Sequence, residues 1–105
     1  MTYKAGTLKI YYEDLELELR SLFRKETTLR EEAEQIRETL EELRGSLHRR
    51  HSFEDAQNMF KEIEEAIVEE NRVFDRMTEV EAAIRETKEK MSSTLARLAN
   101  GETSI

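Results

Sequence analysis

Through the first half of the chain apolar residues recur in steps of four and three: Leu8, Tyr12, Leu15, Leu19, Leu22, Glu26, Leu29, Ala33, Ile36, Leu40, Leu43 and Leu47. Only Glu26 interrupts the row. Steps that average three and a half residues return to one side of an α-helix, so the pattern predicts a first helix over about 8–47 with a narrow apolar seam. The second half repeats the steps with Phe53, Ala56, Phe60, Ile63, Ile67, Glu70, Phe74, Met77, Glu81, Ile84, Lys88, Met91, Leu95 and Leu98. A second helix is predicted over about 53–99. Beside this seam runs a further row, Met59, Ala66, Val73 and Val80, each one residue before a seam position. Three rows are wider than a two-stranded seam needs, so helix two is expected to touch more than one neighbour.

The register breaks between the halves. Leu47 and Phe53 hold equivalent seam positions but stand six residues apart instead of seven, inside the stretch LHRRHSFED. Ser52 suits the N-cap of a new helix, with Glu54 and Asp55 in its positive first turn, while His48, Arg49 and Arg50 suit the negative end of the helix before. A turn is therefore predicted over about 48–52. Gly45 lowers helix stability by about 1 kcal/mol relative to Ala, so fraying is expected from there. The competing form is a continuous rod with a phase slip, which the absence of proline allows.

Two stretches fit a second description. Asp14 to Leu19 alternates polar and apolar residues, and with Leu8, Ile10 and Tyr12 the segment 7–19 carries a strand-like period of two. It lacks a turn signal and a two-stranded ribbon is marginal in water, so helix is expected. Thr28 and Glu31 match a capping box, which would place a kink or a new helix start there.

Composition agrees with long helices. Ala, Glu, Lys, Leu and Arg supply 57 of 105 residues and proline none, a range typical of coiled coils. The net charge of −7 disfavours nucleic acid backbones and anionic membranes as direct partners, since both demand a basic field. With no basic leader followed by an apolar core and no apolar run near 18 residues, a cytoplasmic protein is expected.

Catalytic and cofactor signatures are lacking. There is no glycine-rich phosphate loop and no Glu-x-x-His repeat, and two narrow helices enclose little, so neither an enzyme nor a cofactor is expected. His48, His51 and Asp55 have spacings that could hold a transition metal, but Arg49 and Arg50 repel a cation there, and no metal site is expected. Arg49-Arg50-His51-Ser52 matches a short basic-directed phosphorylation pattern, and the ending Glu102-Thr103-Ser104-Ile105 matches terminal peptides captured by strand addition.

The expected architecture is thus all-α: a single domain made of a long antiparallel two-helix hairpin, coiled-coil-like, with a short polar C-terminal tail, pairing as a homodimer into a four-helix bundle. The expected function is a non-enzymatic interaction module, an oligomerising adaptor or small helical chaperone, whose partner is itself or a helix of another protein. Its association residues are expected to be Met59, Phe60, Ala66, Val73, Phe74, Met77 and Val80. Glu26, Glu70, Glu81 and Lys88 are read as polar seam positions that set register at a cost in stability. A fold symmetric about residue 50 puts Glu70 near Arg30, Phe74 near Glu26 and Lys88 near Tyr12. In size and two-helix plan the chain resembles WXG100-type secreted proteins, which implies a substrate or escort of a signal-independent secretion system. The resemblance is confined to architecture, because the Trp-x-Gly turn of that family is missing and this turn reads His48 to Ser52. A third reading, an acidic inhibitor mimicking nucleic acid, is opposed by Arg30, Arg37, Arg44, Arg72 and Arg76, which break up the acidic field.

Overall fold

The computed structural model describes residues 7–49 and 51–104. Their regular structure is two α-helices, α1 (Thr7–Leu47) and α2 (Phe53–Ala99), packed against each other as a helical hairpin. The strand alternative for 7–19 fails on phase: Leu15 is buried and Leu19 half-buried, whereas Leu17, which a strand would put on their face, is 62% exposed. No new helix starts at Thr28, since α1 runs through it.

The chain reverses inside LHRRHSFED. α1 continues past Gly45, and its end is tightened by the His48 amide bonding to the Gly45 carbonyl (3.3 Å) and the Arg49 amide to the Ser46 carbonyl (3.0 Å). Ser52 caps α2. Its hydroxyl accepts the Asp55 amide at 3.2 Å and its carbonyl the Ala56 amide at 3.0 Å, which satisfies donors that a helix start leaves orphaned. Between the two ends, the His51 ring Nε2–H donates to the Ser46 carbonyl. Glu54 and Asp55 sit in the first turn of α2 and Arg44 in the last turn of α1, each where the helix dipole favours its charge. Arg50, part of the basic pattern read from the sequence, and Ile105 lie outside the described residues.

Packing divides into two compact units, one of Met1–Glu26 with Glu79–Ile105 and one of Thr27–Thr78. The terminal unit buries Leu8, Leu15 and Leu22 of α1 with Ile84, Thr87 and Thr94 of α2. Both threonine hydroxyls donate to the carbonyl one turn back, Thr87 to Ala83 at 2.8 Å and Thr94 to Lys90 at 2.7 Å, so their burial leaves no polar atom unmatched. α2 ends in a Schellman motif: the Glu102 amide bonds to the Arg97 carbonyl and the Gly101 amide to the Leu98 carbonyl, both at 3.0 Å, with Gly101 at φ 83°, where a Cβ would be strained. Arg97 then holds the tail, with Nε 3.2 Å from Glu102 Oε1 and Nη2 2.8 Å from the Ser104 carbonyl. The Thr103 carbonyl in turn accepts the Leu8 amide at 3.0 Å. The tail therefore caps the start of α1.

The turn unit buries Leu29, Ala33 and Leu40 of α1 with Ile63 and Val73 of α2. All twelve seam positions of α1 read from the sequence are buried or half-buried across the two units.

Candidate functional site

Helix α2 presents its rows differently from the sequence expectation. Val73 is fully buried, and Met59, Ala66 and Val80 are half-buried in the same row. Continued by sevens, that row reaches the buried Thr87 and Thr94. It is therefore the row turned toward α1, together with Ala56, Ile63, Glu70, Met77, Ile84, Met91 and Leu98, all buried or half-buried. The row taken as the other half of the seam is the outer one: Phe53 is 79%, Phe60 57% and Ile67 38% exposed. Phe74 is half-buried, and beyond it Glu81 and Lys88 are exposed. Met59, Ala66, Val73 and Val80 thus belong to the intramolecular packing, and Phe53, Phe60, Ile67 and Phe74 form the face left over.

The physical reason is that two threonines ended the inner row in the sequence reading, although a helical Thr hydroxyl is satisfied by its own backbone and packs by its methyl group. Continuing the row at seven-residue steps through Thr87 and Thr94 was the available signal. Of the four polar seam candidates, Glu26 and Glu70 lie half-buried at the seam while Glu81 and Lys88 stand outside it.

Cross-helix pairs locate the flank on which the outer row lies. In the turn unit, Arg37 Nε is 3.8 Å from Glu70 Oε2 and its guanidinium sits over the Phe74 ring at 5.6 Å from the centroid. In the terminal unit, Lys88 Nζ lies 5.7 Å from the Phe23 ring centroid. Symmetry about residue 50 sets Arg30, Glu26 and Tyr12 opposite Glu70, Phe74 and Lys88. Each observed pair is displaced roughly seven to eleven residues from symmetry about residue 50, because long helical side chains reach back about one turn toward their own N-terminus and antiparallel reaches add.

On this flank of the turn unit, Arg30, Arg37 and Arg44 recur every seven residues on α1 beside Phe60, Ile67 and Phe74 of α2. Two shallow depressions mark it: one of about 210 Å³ lined by Arg30, Ala33, Glu34, Arg37, Phe74 and Met77, and one of about 240 Å³ lined by Arg37, Leu40, Glu41, Arg44 and Glu70. The Arg37 side chain remains 64% exposed although its guanidinium contacts both Glu70 and Phe74. Glu32, Gln35, Ile36, Thr39, Ala66, Glu69 and Arg76 line a different hollow of about 520 Å³ in the same unit.

Among the described residues no group of three or more His, Cys, Asp or Glu side chains is placed to hold a metal ion, and no helix is long and apolar enough to cross a membrane. The tail that resembled a strand-addition ligand has its Thr103 and Ser104 carbonyls bonded to Leu8 and Arg97. No protein-family model, curated protein or solved structure matches this chain.

Proposed function

We propose that the chain is a non-enzymatic interaction module that works by laying the outer row of α2 against another helix, as an oligomerising adaptor or small helical chaperone does. The observation that carries this reading is the exposure of Phe53, Phe60 and Ile67 at seven-residue spacing, continued by Phe74 under Arg37. Single apolar side chains on a surface are ordinary, but a row in helical register is a seam lacking its second strand. Fully burying each large side chain is worth roughly 1.5–3 kcal/mol, enough in sum to hold a partner after the cost of association. The arginines alongside exclude a uniformly acidic face, so mimicry of nucleic acid is the weaker account.

The test is in-cell photo-crosslinking with a benzophenone side chain at Phe60, and at Glu62 as a control pointing away from the row. A discrete adduct from position 60, to this chain or to another protein, supports the module. Equal, diffuse labelling from both positions refutes it.

A further inference from the structure

We infer that the occupant of this flank is a second copy of the chain, seated antiparallel about a two-fold axis that crosses α2 at Ile67 and α1 between Glu34 and Arg37. The inference rests on the interaction-module reading above and deepens it by naming the partner.

An isologous contact requires one surface to complement itself when turned end over end. The charged strip of α1 meets that demand. Arg30, Glu34, Arg37 and Glu41 alternate in sign along the flank, and Glu34 and Glu41 line the same depressions as the arginines. Read backwards, each sign is inverted. Turned about the midpoint, Glu34 faces Arg37 of the second copy, Arg30 faces its Glu41 and Arg44, beyond the four, falls opposite its uncharged Thr27, so no like charges meet. A strip built for an unrelated acidic or basic helix has no need of this symmetry.

The apolar row has the matching property about its own centre. Phe60, Ile67 and Phe74 read the same in either direction, so Ile67 meets its own copy and each Phe60 meets a Phe74. The next row outward, Glu64 and Asn71, places an amide donor opposite a carboxylate acceptor. The two centres also coincide along the hairpin. Arg37 reaches back a turn on α1 and Phe74 a turn on α2 to make their contact, which sets the α1 stretch from Glu34 to Arg37 level with Ile67 to within about one turn. One axis therefore serves both rows. Arg37 is already oriented by Glu70 and Phe74 while most of it stays open to solvent, which limits the ordering lost on pairing. A flank two helices wide, each about 10 Å across, and about 30 Å long offers roughly 600 Å² in plan. Its ridged side chains raise the accessible area toward the ~800 Å² per partner of a stable complex.

The native chain has no cysteine, so single cysteines report geometry cleanly. Ile67→Cys is expected to form a covalent homodimer on mild oxidation. Phe60→Cys and Phe74→Cys are each expected to cross-link poorly alone and efficiently when mixed, since sulfur bridging demands close Cα atoms. Glu34→Arg, which spares the internal contacts of Arg37, turns two attractive pairs per dimer repulsive and is expected to raise the dimer Kd about ten- to a hundredfold. Adding Arg37→Glu is expected to restore it to within about threefold of native, with helicity by circular dichroism checking that each variant folds. A native dimer in which Ile67→Cys fails to self-link, or in which Glu34→Arg has no effect, overturns the axis proposed. If the native chain sediments as a monomer at its highest soluble concentration, the second copy is the wrong occupant. A Phe60 photo-adduct to a different protein then leaves the interaction reading standing, and the lack of any adduct removes both.

Discussion

The assignment of rows on α2 can be decided by placing the same residue, aspartate, at Val73 and at Phe60. Val73 is fully buried against α1. Its two γ-methyl groups account for about 1.6 kcal/mol of transfer free energy, and a carboxylate in their place adds several kcal/mol of desolvation or must be neutralised. The expected loss is about 4–5 kcal/mol. A chain of 105 residues has a total stability of roughly 5–15 kcal/mol, so Val73→Asp removes a large share of it. Phe60 has more than half its surface in water, at 57%. Asp there loses partial coverage and meets Glu64 one turn on, for an expected cost of about 1–1.5 kcal/mol. Urea unfolding followed by circular dichroism, at protein dilute enough to keep association out of the transition, measures both. The difference corresponds to a melting-temperature gap of at least ~10 °C. If Phe60→Asp proves the more damaging, the seam is the row containing Phe53 and Phe60, and the placement of Val73 inside is wrong.

Other perturbations read other parts of the fold. Gly45 is helical without a positive φ and a Cβ there meets no atom within 4 Å, so Gly45→Ala is expected to stabilise by about 0.5–1 kcal/mol in the same urea titration. Gly101→Ala, at φ 83°, is expected to cost about 1–2 kcal/mol, and an unchanged midpoint would argue against the left-handed cap. Ser52→Ala removes the hydroxyl that accepts the Asp55 amide, for about 1 kcal/mol. A charge-swap cycle at Arg37 and Glu70, whose side chains are 64% and 21% exposed, is expected to show a coupling of only about 0.5 kcal/mol that fades in salt. The same cycle on Arg30 and Glu70 is expected to show less.

Much of the fold was legible because the chain obeys simple periods. The twelve α1 seam residues, the reversal in LHRRHSFED and the Ser52 cap all follow from spacing and capping chemistry that neighbouring residues decide. Which α2 row faces inward was not local. Two adjacent rows, Phe53, Phe60, Ile67 and Phe74 beside Met59, Ala66, Val73 and Val80, are each apolar at four successive positions. The choice is made further on, where Thr87 and Thr94 tolerate burial and Glu81 and Lys88 do not. A helical Thr packs by its methyl group once its hydroxyl is bonded one turn back, as Thr87 and Thr94 are. The pairing of Arg37 with Phe74 was missed for a geometric reason, since a rule that matches Cα levels ignores the backward reach of both side chains. The cap that the Thr103 carbonyl gives the Leu8 amide joins residues almost a chain length apart, and no sequence period registers such a bond.

The outer row also changes character along α2, and this bears on how the proposed module is divided. From Phe53 to Phe74 every seventh residue is aromatic or aliphatic; at Glu81 and Lys88 the row turns charged, and Lys88 is set against Phe23 of its own chain. The proposed adhesive stretch thus falls within the turn unit; the terminal unit buries Leu8, Leu15, Leu22 and Ile84, leaves Ile10, Leu17 and Phe23 of α1 exposed outside that row and Leu95 exposed beyond its charged positions, and is closed by the Gly101 cap and the tail. Because the rows toward α1 hold α1 and α2 together while Phe60 and Ile67 stay exposed, removing the outer face is expected to abolish the proposed pairing while leaving the hairpin folded. On that proposal association is separable from folding, and the proposed pair is expected to assemble or part with concentration or with a competing helix, the behaviour that the adaptor or chaperone reading requires.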